Sequence, residues 1–165
     1  MEPKEIAQIL DELAEQARDE ESIFRTASVD ADELSLTAFS VSCAVLSRER
    51  AEELEGISLL YRADRKALHH YFSPLSRTWN WLRTCLHKRN DREIVEDCKR
   101  QEGLALHAYE RALHLPLPSS LRLALNNHLA KIRHCRTGLR HLRHHLWQRA
   151  NLAEPVTVQA NFSGT

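Results

Sequence analysis

Three side chains in this 165-residue sequence have the types and spacing to hold a cation inside a helical protein. Glu20, Glu102 and His128 each stand where a helical apolar repeat calls for a residue such as Leu or Ala, so each is directed inward. Two carboxylates and an imidazole are adequate donors for iron, manganese or zinc. The plainer alternative is that the acids meet Arg50, Lys131 or hydrogen-bond donors, or reach solvent at the seam edge. Cys43, Cys98 and Cys135 also fall on seam positions at similar height. Three thiols suit a soft metal, yet reduced Cys is also a common small core residue. A third set comprises Arg133, His134, Arg136, Arg140, His141, Arg143, His144, His145 and Arg149 near the end of the last helix. His141 and His145, four residues apart, could chelate a metal, or simply be basic polarity at a helix C-terminus, where the dipole favours it. The same face could hold nucleic acid or anionic lipid, although aromatic residues are not interleaved with its charges. No Gly-rich phosphate loop, nucleophile elbow or Cys–His catalytic motif occurs.

The elements that must position these groups are helices. Apolar residues recur at Ile6, Leu10, Leu13, Ala17, Phe24 and Ala27, with Pro3 suited to a first helical turn. Ser28-Val29-Asp30 breaks that pattern, and Asp30 or Asp32 can cap a second helix whose apolar face reads Leu36, Phe39, Cys43, Leu46, Ile57 and Leu60. Arg50 and Glu53 interrupt it. Ser73-Pro74 opens a further helix, with Leu75, Trp79, Leu82 and Leu86 as its stripe. Asp91 can cap the next, from about Arg92 to Leu113, which buries Val95, Cys98, Ala105, Tyr109 and Ala112. Pro116 and Pro118 end it. The last helix then keeps a heptad spacing through Leu125, His128, Ile132, Cys135, Leu139, Leu142 and Leu146. Residues 1–149 therefore read as one bundle and residues 150–165 as a flexible C-terminal tail. Short connections make the first two and the last two helices antiparallel pairs, and the Pro74 helix is long enough to carry the chain back between them.

Composition agrees with this. Four glycines and 6% aromatic residues, against many Leu, Ala, Glu and Arg, indicate an all-α protein. The net charge of zero hides a split: residues 1–56 hold 15 acidic and 5 basic side chains, residues 57–165 hold 8 and 18. Such halves can neutralise each other or face a partner. No apolar run approaches the roughly 18–20 residues of a membrane span, and Met1–Glu5 lacks the pattern of a secretory signal. The expected compartment is the cytoplasm, with Cys43, Cys85, Cys98 and Cys135 reduced.

From Leu68 to about Leu142 the residues Trp79, Leu82, Asp91, Ile94, Cys98, Glu102, Tyr109, Glu110, Leu113 and Pro118 carry a pattern. It resembles an uncharacterised bacterial ferritin-like family of four-helix bundles. The resemblance implies a ferritin-like four-helix bundle with an additional crossover helix between the second and third core helices. It implies a fold rather than a reaction. Ferritin-like proteins that bind two irons or manganese place one Glu on each of two helices and a Glu-x-x-His pair on each of the others. Glu20 and Glu102 supply half of that set, and His128 lacks an acidic partner. With the turns as pivots and a rise of roughly 1.5 Å per residue, Glu53 falls roughly 20 Å from Glu20.

The expectation is a non-enzymatic ferritin-like bundle without a cofactor, a binding or stress-related interaction protein with a degenerate di-metal site. Its partner would be a protein or a second copy of the chain rather than nucleic acid. The first alternative is an iron- or manganese-binding protein using Glu20, Glu102 and His128. The second is an anion-binding module working through the basic last helix.

Overall fold

The computed structural model describes residues 1–62 and 90–153, with side chains described to Arg149. Four helices make up the described residues: α1 (Pro3–Asp30), α2 (Leu34–Tyr61), α3 (Asp91–Leu113) and α4 (Ser119–Ala153). The expected Pro74 helix and residues 154–165 of the expected tail lie outside them. The last helix runs four residues past Arg149, where the bundle was expected to end.

Each start has a local cause. Pro3 occupies the first turn of α1, and the Glu5 carboxylate accepts the Glu2 backbone N–H at 2.8 Å. At α3 the cap is Asn90 rather than Asp91. Its side-chain oxygen accepts from the Glu93 N–H at 3.0 Å, and the Glu93 carboxylate accepts the Asn90 N–H at 3.3 Å. Asp91 instead reaches across to α2, accepting the backbone N–H groups of Asp32 at 2.9 Å and Glu33 at 3.1 Å. Neither Asp30 nor Asp32 is the α2 N-cap; Glu33 holds that place. Arg122 closes the α3–α4 turn by donating to the Leu113 and Leu115 carbonyls at 2.6 and 2.8 Å, groups a helix end leaves unpaired.

The Asp91 bonds put the starts of α2 and α3 at one end, so these two helices run in the same direction. Arg149 near the end of α4 pairs with Glu33 at 3.1 Å, which sets α4 antiparallel to α2. α1 packs on α2 and α3, and α4 packs on α3 and α2, so the ring order is α1, α2, α4, α3. Among the described residues the core has two apolar clusters. One gathers Leu10, Leu54, Tyr109, Leu121 and Leu125, the other Phe24, Leu36, Ile94, Cys98 and Leu139.

α1 and α2 make the most extensive contact. Their facing positions are small: Ala7, Ala14 and Ala17 on α1, and Ser40, Ala44, Ser47, Ala51 and Ser58 on α2. The buried face of α2 is Leu36, Ser40, Cys43, Ala44, Ser47, Arg50, Ala51, Leu54 and Ser58; of the expected stripe Leu36 and Cys43 are buried, and Phe39, Leu46 and Ile57 pack half-buried against the core. Leu60, expected inside, is 84% exposed. Burying serines is acceptable here where their hydroxyls find partners, as Ser58 does on the Asp11 carboxylate at 2.6 Å.

Candidate functional site

Among these apolar side chains lies a set of buried polar groups. Glu20 sits on α1, Ser47 and Arg50 on α2, Glu102 on α3 and His128 on α4, all buried. The Arg50 guanidinium donates to the Glu20 carboxylate and, at 3.0 Å, to Ser47 Oγ. The Cα–Cβ bonds of a helix tilt towards its N-terminus. In the antiparallel α1–α2 pair, Arg50 thus leans towards the loop and Glu20 away from it, which lets them meet. Glu53 is three residues beyond Arg50, about one helical turn, and its carboxylate meets His128 rather than Glu20.

Burial pushes the Glu20 carboxyl up, while Arg50 and Ser47 pull it back. For Arg50, burial acts against the charge, and Glu20 and Tyr109 more than offset it, so the guanidinium stays protonated. The pair is a buried cation and anion held by hydrogen bonds, the arrangement that lets charge persist away from water.

His128 is committed elsewhere. Its Nδ1 meets the Tyr109 hydroxyl at 3.1 Å and its Nε2 meets the Glu53 carboxylate at 2.9 Å. Burial holds its pKa below the usual histidine range, against the pull of Glu53. Burial likewise raises the Tyr109 phenol.

Glu102 is the exception. It is 0% exposed, and neither carboxylate oxygen has a hydrogen-bond partner among the described residues. Burial, then the charges of Glu20 and Cys135, push its carboxyl up to about 9. Its neighbours are thiols: Cys43 Sγ, Cys135 Sγ and a Glu102 oxygen all lie within 4.8 Å of one another. The closeness of the two thiols lowers the Cys135 pKa and raises that of Cys43, and burial raises Cys43 further.

Of the expected trio, then, Glu20 is tied to Arg50, His128 to Tyr109 and Glu53, and Glu102 faces Cys43 and Cys135. Of the three seam thiols, Cys98 is outside this group. The residues do not fit the ferritin-like di-metal set. No Glu-x-x-His occurs in the four helices, α4 carries no acid at all, and Arg50 already provides a cation for Glu20.

The basic face of α4 is partly neutralised from within. Arg133 pairs with Glu110 and Arg143 with Glu96, both at 3.4 Å. Arg92 and Arg143 also lie over the Trp147 ring, at 4.9 and 6.0 Å from its centroid. His141 and His145 are exposed.

Residues 5–115, about two thirds of the chain, match the family described as Domain of unknown function (DUF2383). The chain belongs to this family. The DUF2383 match takes in α1, α2 and α3 and ends before α4. It therefore does not follow the Leu68–Leu142 stretch on which the resemblance was placed. Glu20, Cys43, Arg50, Glu53, Glu102 and Tyr109 fall inside the matched residues; His128 and Cys135 do not. No curated protein matches the chain. No described helix is long and apolar enough to cross a membrane.

Proposed function

We propose that this DUF2383 chain is a non-enzymatic, cytoplasmic, ferritin-like bundle acting as a binding or stress-related interaction protein. The observation that carries this reading is Arg50 inside the core on Glu20, a fixed positive charge at a carboxylate that a di-metal protein would reserve for a metal. The ring order and the shared direction of α2 and α3 support the ferritin-like wiring, because such bundles place one long crossover between those helices.

An interaction role is supported by the outer face of α2. Leu34, Val41 and Val45 are exposed there at helical spacing. Beside them a shallow groove of about 140 Å³ runs between α1 and α2, bordered by Glu21, Arg25 and Arg48. Glu21, Arg25 and Arg48 put both signs of charge on the rim, which suits a second copy of the chain as its occupant.

Two measurements on protein purified without a His-tag test this. Neither iron nor manganese should co-purify, and added Fe(II) should be oxidised by O₂ no faster than in buffer. Sedimentation should show a dimer that Val41→Glu with Val45→Glu converts to monomer. Stoichiometric iron with accelerated oxidation, or a wild-type monomer at all concentrations, would overturn the corresponding half of the reading.

A further inference from the structure

Glu102 is a buried carboxylate without a hydrogen-bond partner among the described residues, and the groups it faces are thiols. A lone buried acid of this kind is costly, because it has given up water without gaining a partner. Natural cores seldom tolerate it unless a ligand completes the site. Here three different helices, α2, α3 and α4, each bring one donor to the same point. We propose that Cys43, Glu102 and Cys135 form a binding site for one thiophilic divalent cation, Zn(II).

The donor chemistry selects the ion. Two thiolates favour a borderline-soft metal over manganese or magnesium, and zinc accepts thiolate and carboxylate together. Zinc–sulfur bonds of about 2.3 Å and zinc–oxygen bonds of about 2.0–2.2 Å in a tetrahedron set ligand atoms about 3.5–3.8 Å apart, and these three lie within 4.8 Å of one another. Three protein ligands leave a fourth position for water. Cys135 keeps 8% exposure while Glu102 has none, so the cluster opens towards the surface on the α4 side.

Charge and protons balance. Zn(II) with two thiolates and a carboxylate carries one net negative charge, and the Arg50 and Arg136 guanidinium groups both act on Glu102 to offset it. Without the ion, Glu102 holds a proton and Cys43 shares one with Cys135. Binding releases about two to three protons to solvent, since ligands must be deprotonated. The cation thus takes the place of the proton that otherwise keeps Glu102 neutral. This site shares no donor with the Arg50–Glu20 pair, so it can be present whether or not the interaction role holds.

The test uses the full chain without a His-tag, reduced and under anaerobic conditions, titrated with Co(II) as a spectroscopic substitute and then with Zn(II). One equivalent of Co(II) should produce a thiolate-to-cobalt charge-transfer band, and one equivalent of Zn(II) should abolish it. Glu102→Gln and Cys135→Ser should each weaken Zn(II) binding by more than about 100-fold, beyond the usual effect of removing a supporting group. Cys98→Ser should leave affinity and band unchanged. If Cys135→Ser fails to fold, Glu102→Gln, which preserves shape, decides alone. A missing charge-transfer band, a band insensitive to Glu102→Gln, or zinc binding lost only with His141→Ala and His145→Ala would overturn the proposal. The iron and sedimentation measurements use different ions and a different face, so their failure is separable from failure here.

Discussion

At the scale of single residues, Arg50 and Glu20 show how a buried charge can be tolerated without being a net source of stability. Each half of the pair is expensive to bury alone, and their attraction mainly cancels that cost. Removing one partner should therefore hurt far more than removing both. Arg50→Ala is expected to destabilise the protein by about 3–5 kcal/mol, because it leaves Glu20 ionised or forces it to take up a proton in the core. The double variant Glu20→Leu with Arg50→Met, of similar volume and no charge, should be near neutral or more stable than wild type. Urea unfolding of Glu20→Leu, Arg50→Met and the double variant gives the coupling directly. Additive losses would mean that the two side chains do not depend on each other.

At the scale of elements, three helical glycines separate local propensity from packing. Gly56 in α2 and Gly103 in α3 have open space where a Cβ would go. Alanine there should add about 0.5–1 kcal/mol each by favouring the helical backbone. Gly138 in α4 differs, since a Cβ would stand 2.8 Å from Phe39 Cε2. Phe39 packs edge-on to Phe24 with centroids 6.2 Å apart, so its ring cannot move without disturbing that contact. Gly138→Ala should lose the propensity gain and cost about 1–3 kcal/mol; equal denaturation midpoints for all three variants would refute this. The same distinction governs what the sequence discloses. The α1 stripe from Ile6 to Ala27 and the α4 heptads through Leu139 are buried as their periodicity predicts, because large apolar residues mark those faces. On α2 periodicity is only partly informative. The close approach to α1 places serine and alanine beside Leu36, Cys43 and Leu54, while Leu34, Val41 and Leu60 face outward, so hydrophobicity marks the buried side incompletely. Arg50 consequently reads as an interruption when it is the centre of the buried face. Glu102 and His128 are recognisable as inward polar residues, but their partners come from other helices. Helix register to within a turn decides that Glu102 meets thiols and His128 meets Tyr109.

For the molecule as a whole, two buried groups of opposite kind shape stability against pH. Glu102 has its folded pKa raised from 4.5 to about 9, so the native state keeps a proton that the unfolded chain has released across that range. Stability from this group is complete below 4.5 and declines as pH rises towards 9. His128 acts in reverse. Its folded pKa is lowered from 6.5, so below that pH the unfolded chain takes up a proton that the native imidazole resists, and stability falls on acidification. The two trends oppose each other between pH 4.5 and 6.5; above that range only the Glu102 slope of these two remains. In the presence of a chelator, Glu102 should therefore contribute a loss of stability to the metal-free protein between pH 6.5 and about 9. One retained proton gives a slope of about 1.4 kcal/mol per pH unit. Glu102→Gln, which cannot ionise, should remove that part of the slope and leave the acid-side decline intact. Urea unfolding of both proteins across this window measures the difference. Parallel curves would mean that Glu102 is ionised in the native core and compensated by some other group, in which case it would not be a proton-filled cation ligand.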